Sequence, residues 1–350
     1  MQLESFQIIK VFALAAVSFL AAFAWAPGLI RLLQRWKMGK GIRPEAEAPI
    51  FFKFHAKKKG TPTMGGVLVW MTVLMIALVL SVLAQAFPGS VFAQLNFLSR
   101  SQTLLPLGAL VASALVGMVD DVFNVRGIGP NGGGVRFRHR LIIYTAIALV
   151  GAWWFRYKLA WDLLHVPFVG AFNIGWWYVP FFMLILVATA FSVNETDGLD
   201  GLAGGSLFSA FGAYAVIAFA QGKYDLAAFC GVIIGALLAF LWFNIYPAKF
   251  IMGDTGVMSL GITLGIIALL TNSALFLPVI GLVFVIESVS VIIQLAARRL
   301  FKRKVFISSP IHHHLEALGW PEPQIVMRFW VIAFVAAAVG TALVLLDALV

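Results

Sequence analysis

The chain has 350 residues, of which 61% are hydrophobic and only 11% charged, with a mean hydropathy of +0.96. Soluble domains carry about 25% charged residues, so these values exclude a soluble globular protein and describe an integral membrane one. The net charge of +10 reflects Lys and Arg gathered on one side of a bilayer and near anionic lipid, with no nucleic acid as partner.

Ten apolar stretches approach helix-spanning length, at about 6–30, 65–87, 103–119, 141–155, 178–193, 202–220, 226–244, 257–271, 275–297 and 327–349. None shows the ten-residue alternation of a membrane barrel, so helices are expected. Cys230, the one cysteine, sits inside an apolar run, which excludes a disulfide framework and a cysteine metal site. The first stretch has features of a signal peptide, Lys10 before an apolar run and Ala22-Phe23-Ala24 within it. The heavier positive charge of Arg31, Arg35, Lys37 and Lys40 follows the run, which keeps it as an anchor with its N-terminus outside. All Lys and Arg except Lys10, Arg100, Arg156, Lys158 and Lys223 fall after odd-numbered stretches or at their edges. The expected fold is therefore an all-α integral membrane protein of about ten transmembrane helices, with both termini outside. It forms a single polytopic domain over 1–350, with its chemistry in cytoplasmic loops 31–64, 120–140, 194–201, 245–256 and 298–326.

The first of these loops ends Lys57-Lys58-Lys59-Gly60-Thr61-Pro62-Thr63-Met64-Gly65-Gly66. Lysines followed by hydroxyls, glycines and a helix start suit a polyanion, through side-chain charge and exposed N–H groups. The lysines alone would equally suit lipid headgroups. Asp120-Asp121 closes the third stretch. Adjacent carboxylates repel and call for a cation, and Mg²⁺ takes carboxylate and phosphate oxygens, although an isolated Asp pair would read as a solvated helix end. Asn194-Glu-Thr-Asp197-Gly-Leu-Asp200-Gly-Leu202 places three acids and an amide between two apolar segments, where charge needs a partner. In Asn244 to Gly256, Asp254 is flanked by Gly253 and Thr255-Gly256, a setting for a tight turn that presents a carboxylate beside N–H groups. Three separated carboxylate sites on one face, beside lysines, point to a metal–diphosphate pocket.

In the last loop, Ser309 fits a helix N-cap, Pro310 the first helical position and Gly319 the stop. His312, His313 and His314 would occupy the first turn, where an anion is favoured. Consecutive side chains diverge by about 100° on a helix, so the three cannot share one metal. One or two are expected to contact phosphate and at least one to hold structure. Glu287, the one carboxylate deep within a stretch, shares a face with Gln294 and reads as an ion path, a buried hydrogen bond or a pocket wall.

Taken together and in this order, these motifs resemble the phospho-N-acetylmuramoyl-pentapeptide transferases, within the polyprenyl-phosphate sugar-1-phosphate transferase superfamily. The resemblance runs from about Lys57 to Arg328, and His312–His314 followed by Gly-Trp-Pro-Glu-Pro-Gln is its most discriminating part. It implies a Mg²⁺-dependent enzyme of the bacterial inner membrane. The reaction moves phospho-N-acetylmuramoyl-pentapeptide from UDP-MurNAc-pentapeptide to undecaprenyl phosphate and releases UMP; the family often forms a homodimer. By resemblance, Asp120, Asp121, Asp254 and His313 are catalytic, Asp254 and Asp121 hold the metal, and Asp120 deprotonates or orients the lipid phosphate. Lys59, Thr63, Asn194, Asp197, Asp200, Asn244, Gly253, Gln294, His312 and His314 would hold the substrate. One displacement or two, through an aspartyl phosphate, are both compatible with these residues.

The chain departs from the family at Asn124, where a Lys is usual, leaving Arg126, Arg136, Arg138 or Arg140 to bind phosphate. It departs again at Ile251, where a Phe thought to stack on uracil is usual, at Val257, and in the Gly-rich insert 127–134. Two other readings are a transferase for a UDP-N-acetylhexosamine, against which the histidines weigh, and an ion transporter. For a transporter, more buried charge or paired broken helices would be expected.

Overall fold

The computed structural model describes residues 2–39, 58, 60–129, 133–135, 137–159 and 161–349. Helices form along all ten apolar stretches, the ninth in pieces: α1 (Gln2–Arg35), α2 (Gly66–Ala86), α3 (Leu104–Val125), α4 (Phe137–Trp153), α5 (Tyr178–Thr196), α6 (Leu202–Ala220), α7 (Tyr224–Asn244), α8 (Asp254–Leu270), α9 (Leu282–Phe301) and, after the short α10 (Ile311–Ala317), α11 (Glu322–Asp347). Seven of them are long and apolar enough to cross a membrane. The protein is a multi-pass membrane protein.

Two features depart from a plain run of spans. The ninth stretch is not continuous: Ala274–Ile280 meets α9 at an angle of 85°. Gly281 sits at the break, and Pro278, lacking an N–H, opens the short helical piece before it. Between α4 and α5 a two-stranded antiparallel hairpin, Leu163–Val166 against Gly170–Asn173, adds the only strands among the described residues.

At 17 residues α8 is about 26 Å long, short of the ~30 Å hydrocarbon core. Its length is set by protein neighbours instead of lipid, since every residue from Thr255 to Leu270 is buried. Packed around it are α3, α5 and α2. Its hydroxyls cost little in this dry setting because they bond within the helix: Ser259 Oγ donates to Thr255 O and Thr263 Oγ1 to Ser259 O, each at 2.7 Å. The second buried helix, α7, lies against α1 and α6. With little hydrophobic drive between helices in lipid, close packing through small residues carries the association. Ser18 of α1 reinforces it by donating to Val232 O at 2.6 Å.

This arrangement gathers the ends of α3, α5 and α7 and the starts of α4, α6 and α8 at one face. The hairpin is held at the opposite face, where His165 and the Phe168 N–H both bond Asp347.

Candidate active site

The site is built around the N-terminus of α8, whose first N–H groups have no partner within the helix. Carboxylates from two other helices supply partners. Asp121 of α3, 4% exposed, accepts from the Asp254 and Thr255 N–H groups at 3.2 and 3.0 Å and from Thr63 Oγ1 at 3.1 Å. Asp197, just beyond α5, accepts from the Gly253 N–H at 3.2 Å. Negative charge at a helix N-terminus is favourable, so both acids serve to seat α8. Gly253 makes the seat possible. Its φ is +73°, and a Cβ there would lie 2.5 Å from Thr63 Oγ1 and 2.7 Å from Asp121 Oδ2.

With the backbone tied down, the Asp254 side chain turns the other way. Its Oδ1 accepts from Asn194 Nδ2 at 2.7 Å, and its Oδ2 lies 2.9 Å from Arg140 Nη2. The same Nη2 is 2.6 Å from Asp120 Oδ2, while Asp120 Oδ1 accepts from the Val135 N–H at 2.5 Å. Two carboxylates from α3 and α8 thus converge on one cationic nitrogen from α4. Like charges this close stay ionised only beside a cation.

A second group of the expected site residues is spent on holding loops. Asp200, 7% exposed, pairs with Lys58 Nζ at 2.7 Å and accepts from the Ala248 N–H at 3.0 Å. Lys58 also pairs with Glu322 at 2.5 Å. Burial opposes the charge on Lys58, but Glu322 and Asp200 outweigh it and raise its pKa. Asn244 accepts from the Gly201 N–H and donates to Phe250 O, both at 2.9 Å. Gln294 closes the loop after α9, accepting from the Val305 and Phe306 N–H groups at 3.0 Å. Asp200, Asn244 and Gln294, expected to touch substrate, therefore have their polar atoms engaged by backbone and Lys58.

The three histidines divide. His312 is fully buried, with Nδ1 2.9 Å from Glu287 Oε2, and its ring occupies the space a Cβ on Gly198 would need, 2.1 Å from Nε2. It is a packed core histidine where a substrate contact was expected. Burial works against its charge, but Glu287, with Glu316 and Glu195 behind it, raises its pKa. His313 keeps some exposure, 12% of its side chain, with Nδ1 2.7 Å from Glu316. His314 accepts from the Ile307 N–H at 3.3 Å and meets the Phe306 ring edge-on.

The glycine-rich start of α2 also differs from expectation. Three of its N–H groups are already engaged by the chain: Thr63 donates to Met38 O, Gly65 to Ile251 O and Gly66 to Met252 O, each at 2.8 Å. Phe250 is buried against Phe240 and Phe243, so it does not replace the aromatic missing at Ile251. Lys59 and Arg136 lie outside the described residues.

Among the described residues no three acid, His or Cys side chains form a ready-made cation cage. The Asp120–Asp254 pair nevertheless suits a hard cation. Its oxygens converge on a point already holding positive charge, and Asp120 Oδ2 is buried without a well-formed hydrogen bond. A cation such as Mg²⁺, which usually takes one or two protein carboxylates and completes its shell from phosphate and water, needs no cage.

A helical membrane bundle carrying a largely buried carboxylate pair at one face defines the class, and residues 103–272 match the family described as glycosyl transferase family 4. Residues 58–68 match the phospho-N-acetylmuramoyl-pentapeptide-transferase signature 1. Proteins named phospho-N-acetylmuramoyl-pentapeptide-transferase from Chloroflexus aurantiacus and Chloroflexus aggregans are 39% and 40% identical to the chain, each match covering 96% of this chain and 90% of the relative. The one from Geobacillus thermodenitrificans is 40% identical over 93% of this chain and 95% of its own. The chain belongs to the phospho-N-acetylmuramoyl-pentapeptide-transferase family.

Proposed function

We propose that this protein transfers phospho-N-acetylmuramoyl-pentapeptide from its UDP carrier to undecaprenyl phosphate, at the cytoplasmic face of a bacterial inner membrane. The products are the lipid-linked diphosphate sugar and UMP. The observation that carries the reading is the convergence of Asp120, Asp254 and Arg140 at one face of a membrane bundle, in a chain whose relatives bear that enzyme's name. In this reaction a lipid phosphate oxygen forms a bond to the sugar-bearing phosphorus, and the bond from that phosphorus to the UMP oxygen breaks. Two anions must meet, so positioning and charge stabilisation supply most of the rate.

In this reading Asp254 and Asp120 would hold Mg²⁺, which when bound neutralises diphosphate charge. Asp121, assigned to the metal from sequence, instead seats α8, because its oxygens already take three donors. Asn194 fixes the Asp254 carboxylate, and Asp197 fixes the Gly253 amide. Asp120 orients the lipid phosphate and can receive its proton. His313, held by Glu316, is the histidine we assign to substrate, and Lys59 keeps the substrate-binding role expected from the sequence.

The test is UMP release by detergent-solubilised protein given undecaprenyl phosphate and UDP-MurNAc-pentapeptide. Asp254→Asn and Asp120→Asn should each lower kcat by at least about a hundredfold. Turnover of a UDP-N-acetylhexosamine but not of the muramoyl donor would overturn the substrate assignment, and full activity in both variants would overturn the site.

A further inference from the structure

The guanidinium of Arg140 is held in an unusual way. Arg usually grips a carboxylate with two parallel N–H bonds from its planar fork. Here a single nitrogen, Nη2, serves both acids, at 2.6 Å from Asp120 Oδ2 and 2.9 Å from Asp254 Oδ2. It behaves as a point charge between two carboxylates. Nε, in contrast, is buried with no hydrogen-bond partner, and Asp120 Oδ2 lacks one of acceptable geometry. A buried unpaired N–H costs about 1–3 kcal/mol, so the pairing is incompletely satisfied on both sides. The side chain is still 23% exposed, and it springs from the first turn of α4. It therefore has room to leave without disturbing the packed part of its helix.

We propose that Arg140 is a resident counter-ion that occupies the divalent-cation position between Asp120 and Asp254 and must swing out for the metal to enter. One nitrogen at this point and a metal ion at the same point exclude each other. Once displaced, the guanidinium lies beside the metal with its full fork free, and a diphosphate bound there is the natural new partner. The residue thereby couples metal entry to substrate binding: each favours the state in which Arg140 has left the carboxylates. The inference rests on the reading of Asp120 and Asp254 as the metal pair.

The experiment is metal binding by the full-length detergent-solubilised protein, followed by the loss of the free Mn²⁺ resonance signal on titration, without substrates. Wild type, Arg140→Gln, Arg140→Lys and Asp254→Asn are compared. If Arg140 occupies the position in nine molecules of ten, its removal tightens apparent Mn²⁺ affinity about tenfold. Arg140→Gln should show that gain, and Arg140→Lys, which keeps the charge, should bind Mn²⁺ more weakly than Arg140→Gln. Thermal unfolding supplies the second readout. Metal-free Arg140→Gln, with the Arg140 charge gone from between Asp120 and Asp254, should melt below wild type, and added Mg²⁺ should raise its Tm by more. Equal Mn²⁺ affinity in wild type and Arg140→Gln, with binding lost in Asp254→Asn, would overturn the counter-ion role while leaving the metal pair standing. Binding unaffected by Asp254→Asn, or absent throughout, would overturn the metal pair and the inference together.

Discussion

Asp121 and Asp120 are neighbours in sequence with separate tasks, because one faces the backbone of α8 and the other its first side chain. Replacing Asp121 by Ala would take the acceptor from the part-buried Asp254 N–H and from the buried Thr255 N–H, the latter at about 1–3 kcal/mol. Asp121→Ala should accordingly melt several degrees lower than wild type, whereas Asp120→Asn, which keeps an acceptor for the Val135 N–H, should lose activity with little change in Tm. Equal melting losses would show that the two acids share one role. His312 gives the residue-scale pH dependence. Glu287, Glu316 and Glu195 raise its folded-state pKa above the ordinary value of about 6.5 despite burial. Its contribution to stability is therefore complete below that value and is lost as pH rises through the higher folded-state one. His313, whose ring lies 4.1 Å away, is the other titratable neighbour. The Tm difference between wild type and His312→Gln should shrink as pH is raised from 6 to 9, and a difference that grows with pH would reverse the assignment.

Among elements, the meeting of α2 with α8 decides where Asp254 stands. Gly66 opens α2, and a Cβ there would lie 2.2 Å from the Gly256 Cα, a backbone atom that cannot rotate aside. Gly66→Ala must push the two helices apart, and overpacking of this kind costs about 1–3 kcal/mol. Because Gly256 is two residues past Asp254, kcat should fall as well as Tm; unchanged kinetics would separate this contact from the site. The helices along the apolar stretches and the three acid-bearing loops were legible in the sequence, since apolar length and isolated charge are local signals. The division of labour among polar residues was not. Asp200, Asn244, Gln294 and His312 resemble ligand-binding groups by type, but their partners are Ala248, Gly201, the 305–306 backbone and Glu287. Only the folded chain brings those together. Arg140 was one of four arginines offered for phosphate, and nothing in the string singles it out. The break at Gly281 was hidden because both halves are apolar.

At the scale of the molecule, contacts between distant loops constrain how often the chain passes from face to face. Lys10 bonds Asn96 O and Asp225, each at 3.0 Å, which puts the starts of α1 and α7 beside the end of the loop after α2. Gln221 donates to Thr271 O at 2.9 Å, so α7 and the short α8 together make one return trip. Lys58 joins Asp200 and Glu322 at the other face. The Asp347 bond to His165 brings the end of α11 to the hairpin side. Between the hairpin and Asp347 the number of passages must be even, which requires the bent ninth stretch to count as one. Counted so, the expected topology has ten passages with both ends of the chain on one side, the one poor in Lys and Arg. By the positive-inside bias that side is expected to be the exterior. Cys230, fully buried, provides a quiet background for testing this, and Cys230→Ala removes it altogether. In that background Lys158→Cys, exposed beyond α4, and Lys304→Cys, exposed beyond α9, report the two faces. A membrane-impermeant maleimide should label Lys158→Cys in intact spheroplasts and Lys304→Cys only in inverted vesicles. The opposite pattern would invert the orientation, and labelling of both from one side would mean that the bent stretch does not cross.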